Sequence, residues 1–125
     1  MVEIGKQLKR SVEIDEPRAI SFMGPELRVY GTPSILSDIE FACRDLLLTM
    51  IDEGMDSVGS QVTLDHVGAA KLGQSADITV TVVEVSKRRI TFAASVTSDG
   101  RAIANASHIR TIVSVADLKA RIGQI

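Results

Sequence analysis

The stretch TPSILSDIEFACRDLLLTMIDEG, residues 32–54, decides the fold. Thr32 is a good N-cap, and Pro33 falls at the first helical position, where its missing N–H is not needed. The pattern predicts a helix from Thr32 to about Glu53, with Gly54 as its stop. At ~100° per residue, Ile35, Leu36, Ile39, Cys43, Leu46, Leu47 and Met50 share one broad face. Asp38, Asp45, Thr49 and Asp52 fall opposite. A helix this apolar along one side must bury that side against another layer, and a sheet suits it.

C-terminal to the helix the period changes to two. From Ser60 to Val67, Val62, Leu64 and His66 alternate with Gln61, Thr63 and Asp65. Gly68 to Gln74 reads as a loop. Ala76 to Val85 is a long strand with Ile78, Val80 and Val82 on one side. Ser86-Lys87-Arg88-Arg89 is a turn, and Ile90 to Thr97 is the next strand. Asp99-Gly100 is a strong hairpin signal. Arg101 to Val115 is the last long strand, followed by a short terminal helix over Ala116 to Ile122. N-terminal to the main helix, Ser11 to Ile14 alternates as a first strand. Pro17 to Gly31 holds two of the three prolines and reads as an irregular loop.

Short turns between successive strands imply antiparallel neighbours. The elements therefore predict an α+β chain: an antiparallel five-stranded sheet wrapped around one long central helix, the hot-dog architecture. A generic α+β sandwich built from the same elements is the alternative.

The composition fits one domain spanning residues 1–125. Hydrophobic residues make up 45% of the chain, but aromatics only 3%, with no Trp, so Val, Ile, Leu and Ala must fill the core. A formal net charge of -2 argues against nucleic acid or an anionic membrane surface as partner. The single Cys excludes an internal disulfide and a Cys-based zinc site. The two His residues stand at no metal-ligand spacing, so no metal is expected. Residues 1–10, MVEIGKQLKR, lack the apolar run of a signal peptide, and no stretch reaches the roughly 18 apolar residues of a membrane span. A cytoplasmic location is the expectation.

Three polar residues stand in apolar surroundings. Glu40 lies at the edge of the helical stripe, near Leu36, Cys43 and Leu47. An unpaired carboxylate there needs water, a partner such as Arg44 at i+4, or a purpose. His66 shares strand parity with Val62 and Leu64, which suits a structural imidazole or, together with a carboxylate, one that activates water. Thr32 is explained as an N-cap, yet its hydroxyl lies two turns from Glu40 on roughly the same side. His108 and Arg110 share parity on the last strand, either as a solvated face or lining a site where Arg110 compensates a buried acid. Lys87, Arg88 and Arg89 suit a solvated turn, with phosphate binding the minority reading.

These residues carry a resemblance. The segment from Gly31 to Arg110 resembles the hot-dog thioesterases of the fluoroacetyl-CoA thioesterase type. The resemblance rests on Thr32 spaced from Glu40-Phe41-Ala42-Cys43, on Val58-Gly59-Ser60, on the strand ending in His66, and on Ser107-His108-Ile109-Arg110. It implies that Thr32, Glu40 and His66 form the catalytic set. It also implies that Gly59 helps hold the thioester carbonyl and that Arg110 supports the site. The expected activity is hydrolysis of an acyl-CoA to free acid and CoA, with no cofactor beyond the coenzyme A of the substrate. The family member that selects a fluorinated substrate carries an aromatic-rich lid before the helix. Here the loop from Arg18 to Tyr30 offers only Phe22 and Tyr30, so a short or unassigned acyl group is expected, with Phe22 the candidate contact.

A single sheet with one buried helix leaves a long edge open, and the family site lies between two subunits, so a homodimer or a dimer of dimers is expected. A non-catalytic module that binds acyl-CoA or another apolar ligand is the alternative function. A hot-dog hydratase fits less well, because Asp65 and His66 are strand neighbours and point to opposite faces.

Overall fold

The computed structural model describes residues 1–125. Strand β1 (Gln7–Glu13) precedes helix α1 (Thr32–Leu48). Strands β2 (Met55–His66), β3 (Ser75–Ser86), β4 (Arg89–Ser98) and β5 (Arg101–Ser114) follow, and α2 (Val115–Ile122) ends the chain. The strands form one antiparallel five-stranded sheet in the order β1-β3-β4-β5-β2. The loop between β4 and β5 is Asp99-Gly100, both at positive φ, as a tight two-residue hairpin requires.

One face of this sheet packs on α1. The helix buries Ile35, Ile39, Ala42, Cys43, Leu46 and Leu47. Opposite them stand Ala76, Ile78, Val80 and Val82 of β3, Ile90, Phe92, Ala94 and Val96 of β4, and Ile103 and Ala104 of β5. The alternation on β3 and β4 is that of half-buried strands. Strands β1 and β2 lie at the two edges of the sheet. The face of β2 beyond Ser57 stays largely in water, with Val58 and Val62 exposed.

Register shifts decide which residues face the helix. Between Gly59 and Gln61 of β2 one extra residue, Ser60, breaks the pairing with β5. The strand's parity flips there, so Ser57 and Gly59 face the same side as Val62, Leu64 and His66. A second shift, where β4 passes from Val96 to Thr97, leaves Ile103 unpaired between Ala102 and Ala104. Ile103 and Ala104 are consequently both buried although adjacent in sequence.

Three expectations need correction. The helix stops at Leu48, not near Glu53, because Thr49 tightens the last turn. The Thr49 and Met50 N–H groups reach back three residues to the Leu46 and Leu47 carbonyls, and the Thr49 hydroxyl also donates to Leu46 O at 2.6 Å. Gly54, at φ 87°, serves the turn into β2 and not the helix end. The helix is thus 17 residues long, shorter than the long central helix expected. Thr32 is not the N-cap: Gly31 is, in extended backbone, and no side chain caps the helix. Asp38 is not a solvated face residue either. It accepts two bonds from Arg18, at 2.8 and 3.0 Å, and one from the hydroxyl of the fully buried Tyr30. This cluster ties the loop before α1 to the helix. Within that loop, Arg28 bonds the carbonyls of Glu16, Ala19 and Ile20.

Removing the Tyr30 hydroxyl tests the tie. Tyr30→Phe is expected to lower unfolding free energy by about 1.5–3 kcal/mol, the range for a hydrogen bond to a charged group. Asp38→Ala is expected to lower it further, since it leaves the buried Tyr30 hydroxyl without its acceptor and Arg18 with Asp15 as its one carboxylate partner. Urea denaturation of both variants measures this, and a Tyr30→Phe protein as stable as the parent would show that the contact contributes nothing.

Candidate active site

The exposed flank of α1 presents Pro33, Leu36, Ser37, Glu40, Phe41 and Arg44, spaced three and four apart and therefore stacked on one stripe. Together with Arg110 of β5 they line a cavity of about 230 Å³. Pro33, Leu36 and Phe41 give it apolar walls, and Glu40 brings a carboxylate that remains 42% exposed.

Arg44 is not the partner of Glu40. Its guanidinium grips Asp56 at the start of β2 through two bonds, at 2.9 and 2.7 Å. That pairing holds the Asp56 carboxyl below the ordinary aspartate range. Glu40 is held instead from β5: Arg110 Nη1 donates to its Oε2 at 3.0 Å. Arg110 is only 4% exposed, and each of its nitrogens is answered. Nε donates to Ser57 Oγ at 2.7 Å and Nη2 to the Ser57 carbonyl at 2.8 Å. Nη1 also faces His108 Nε2 at 3.2 Å.

Gly59 is where the carboxylate meets the sheet. A Cβ built there would lie 2.6 Å from Glu40 Oε2 and 3.0 Å from His108 Cε1. Only a residue without a side chain lets Glu40 settle on β2 at this point. The hydrogen bonds of the protein engage Oε2 of Glu40, leaving its other oxygen to the cavity.

The remaining candidates form a separate pair. Thr32 Oγ1 and His66 Nδ1 lie 2.7 Å apart, joining the first turn of α1 to the last residue of β2. The Thr32 hydroxyl therefore pairs with His66 and not with Glu40, although it lies on roughly the same side of the helix. Glu40 lies eight positions along the helix from Thr32, roughly 12 Å along the axis at 1.5 Å per residue. His66 is exposed on the helix side of β2. Phe22 stands 80% exposed on the loop before α1 and is not among the residues lining the Glu40 cavity.

Ser57 and His108 hold Arg110; sequence reasoning left Ser57 out and offered His108, with Arg110, as either a solvated face or the lining of a site. The predicted strand began at Ser60, which left Ser57 outside it. His108 was legible only through its parity with Arg110. The buried Cys43 takes no part: burial pushes its thiol up to about 12, so no thiolate is available.

Comparison with known proteins places the fold and the family. Residues 14–116 match the family model described as fluoroacetyl-CoA-specific thioesterase, FlK. No curated protein sequence matches the chain. Among solved structures, the fluoroacetyl-CoA thioesterase FlK superposes with a TM-score of 0.88 at 18% identity, covering 99% of this chain and 97% of its own. A Thermus thermophilus protein of the thioesterase superfamily gives a TM-score of 0.90 at 19% identity, covering 99% and 93%. A hypothetical thioesterase from Streptococcus pneumoniae, solved with coenzyme A, gives 0.74 at 14% identity over 90% and 88%. These structures establish the hot-dog fold, and the family model, spanning most of the chain, establishes the lineage. The chain belongs to the fluoroacetyl-CoA thioesterase family and is an acyl-CoA thioesterase.

Proposed function

We propose that hydrolysis takes place at Glu40, on a short acyl-CoA whose acyl group enters the cavity between Leu36, Phe41 and Arg110. The observation that carries this reading is the state of the carboxylate. It is half-exposed in an apolar-walled cavity, pinned at Oε2 by a buried guanidinium, with its other oxygen free. A boundary glutamate that merely reaches water has no need of a buried arginine or of a glycine cut away beneath it.

The free oxygen either attacks the thioester carbon, releasing CoA thiolate and forming a mixed anhydride that water then opens, or takes a proton from the water that attacks directly. In both routes the carbonyl oxygen gains charge, which backbone N–H groups near Gly59 are suited to receive. The Thr32–His66 pair stands apart from Glu40 within one subunit, so it can give the leaving thiolate its proton only where a dimer brings the pair of one copy to the Glu40 cavity of the other. The reaction uses no cofactor beyond the coenzyme A of the substrate. The hypothetical thioesterase from Streptococcus pneumoniae solved with coenzyme A supports an acyl-CoA ligand here.

The loop from Arg18 to Tyr30 carries Phe22 away from the Glu40 cavity, which supports broad acceptance of short acyl groups over strict selection of fluoroacetyl. The protein works as a homodimer or a dimer of dimers in the cytoplasm. Strand β2 is an open edge with Val58 and Val62 exposed beside the site, and pairing it with a second copy would cover both the edge and His66.

Three outcomes are expected. Glu40→Gln keeps the fold and lowers kcat for acetyl-CoA well over tenfold, the scale for loss of a general base or nucleophile; thiol release at the parent rate would return Glu40 to a boundary role. Gly59→Ala forces the carboxylate aside and is expected to depress kcat by a similar factor while the protein still folds, as read by thiol release alongside circular dichroism. Light scattering at micromolar concentration is expected to give a dimer or tetramer mass, and a monomer would rule the assembly out.

A further inference from the structure

His108 is the one buried imidazole of the chain, 2% exposed and packed beside Phe92 of β4, their rings 6.5 Å apart. Its two nitrogens meet partners of opposite character. Nδ1 lies 2.9 Å from the Gln61 carbonyl, which only accepts. Nε2 lies 3.2 Å from Arg110 Nη1, which only donates. Together they fix one form of the ring: neutral, with the proton on Nδ1 and the lone pair on Nε2 aimed at Arg110. Protonating Nε2 would set two donors, and two positive charges, against each other. Burial pushes the imidazole below its ordinary range, and the positive charge of Arg110 acts in the same direction. The Gln61 carbonyl and Glu40, whose Oε2 is 3.9 Å from Nε2, oppose them.

We propose that His108 is a positioning residue of the hydrolytic site, an acceptor that holds Arg110 in place while the charge on Glu40 changes during turnover. The proposal rests on the reading of Glu40 as the reacting carboxylate. That carboxylate loses its charge when it is acylated or protonated, and its bond to Arg110 weakens at that moment. A guanidinium held by Glu40 alone would then be free to turn. Here Ser57 Oγ, the Ser57 carbonyl and His108 Nε2 hold it from three other directions. Of the three, only His108 shares Nη1 with Glu40, so it keeps that nitrogen answered when the charge on Glu40 is lost. The bulge at Ser60 belongs to the same device, since the Gln61 carbonyl that receives Nδ1–H follows immediately after it.

The test compares His108→Leu with His108→Gln, using acetyl-CoA and a thiol reagent, with Glu40→Gln and the Glu40→Gln/His108→Leu double variant in parallel. Leucine fills the site but offers no acceptor. Glutamine carries one donor and one acceptor on the same planar end. His108→Leu is expected to lower kcat by about tenfold to a hundredfold, the scale of displacing reacting groups by up to about 1 Å, with KM little changed. His108→Gln should recover most of that loss. In the Glu40→Gln background His108→Leu should lower the residual rate no further. A parent-like kcat in His108→Leu, no recovery with glutamine, or an undiminished loss in the double variant would each overturn the proposal. If Glu40→Gln were itself fully active, the assignment of Glu40 would be what had failed. Should His108→Leu not fold, nitrogen NMR of the parent protein decides. The ring is expected to be neutral and Nδ1-protonated at about pH 7–8, and to gain charge only at a lower pH than an ordinary histidine does. An Nε2-protonated or cationic ring in that window would sink the idea.

Discussion

A guanidinium withdrawn from water must have its N–H groups answered where it sits, and the arrangement around Arg110 follows from that demand. Ser57 supplies two acceptors from the edge strand, His108 supplies one from the same strand as Arg110, and Glu40 supplies a charge from the helix. The three elements are thereby locked to one another at a single point. The cavity lies there because the charge that balances Arg110 is also the only one of its four partners that reaches solvent.

The edge strand makes this possible through its irregularity. A regular β2 would turn Ser57 and Gly59 to the face opposite Val62 and His66. The extra residue at Ser60 flips the parity once, so Ser57, Gly59 and His66 all face α1. Absence of a side chain at Gly59 then lets the Glu40 carboxylate rest on the strand. Two local departures from regular sheet, one of pairing and one of side-chain volume, thus open the site at the border of sheet and helix.

The loop before α1 is held by different means. Asp38 gathers Arg18 and the hydroxyl of Tyr30, and Arg28 closes the loop on its own carbonyls. Its tip still exposes Phe22, Met23 and Leu27 to solvent. A fixed base and an exposed apolar tip are consistent with a segment that does not shape the Glu40 cavity within one subunit.

How much of this was legible in the sequence depends on whether the signal was local. The apolar stripe of the helix, the period-two strands and the Asp99-Gly100 hairpin are written in neighbouring residues, because helix and strand periodicity follow directly from backbone geometry. They determined the element order and the hot-dog architecture, and the intervals between Thr32, Glu40, Gly59, His66 and Arg110 were enough to suggest the family. The helix end was misjudged because the Thr49 hydroxyl and a tightened last turn compete with continuation of the helix, and apolar spacing does not record that competition. Only the tertiary structure decided who pairs with whom: Thr32 with His66, Glu40 with Arg110, Arg44 with Asp56, Asp38 with Arg18 and Tyr30. Those choices join residues up to 70 positions apart. They depend on a one-residue bulge and on which groups are buried together, and neither is a property of any short stretch of chain.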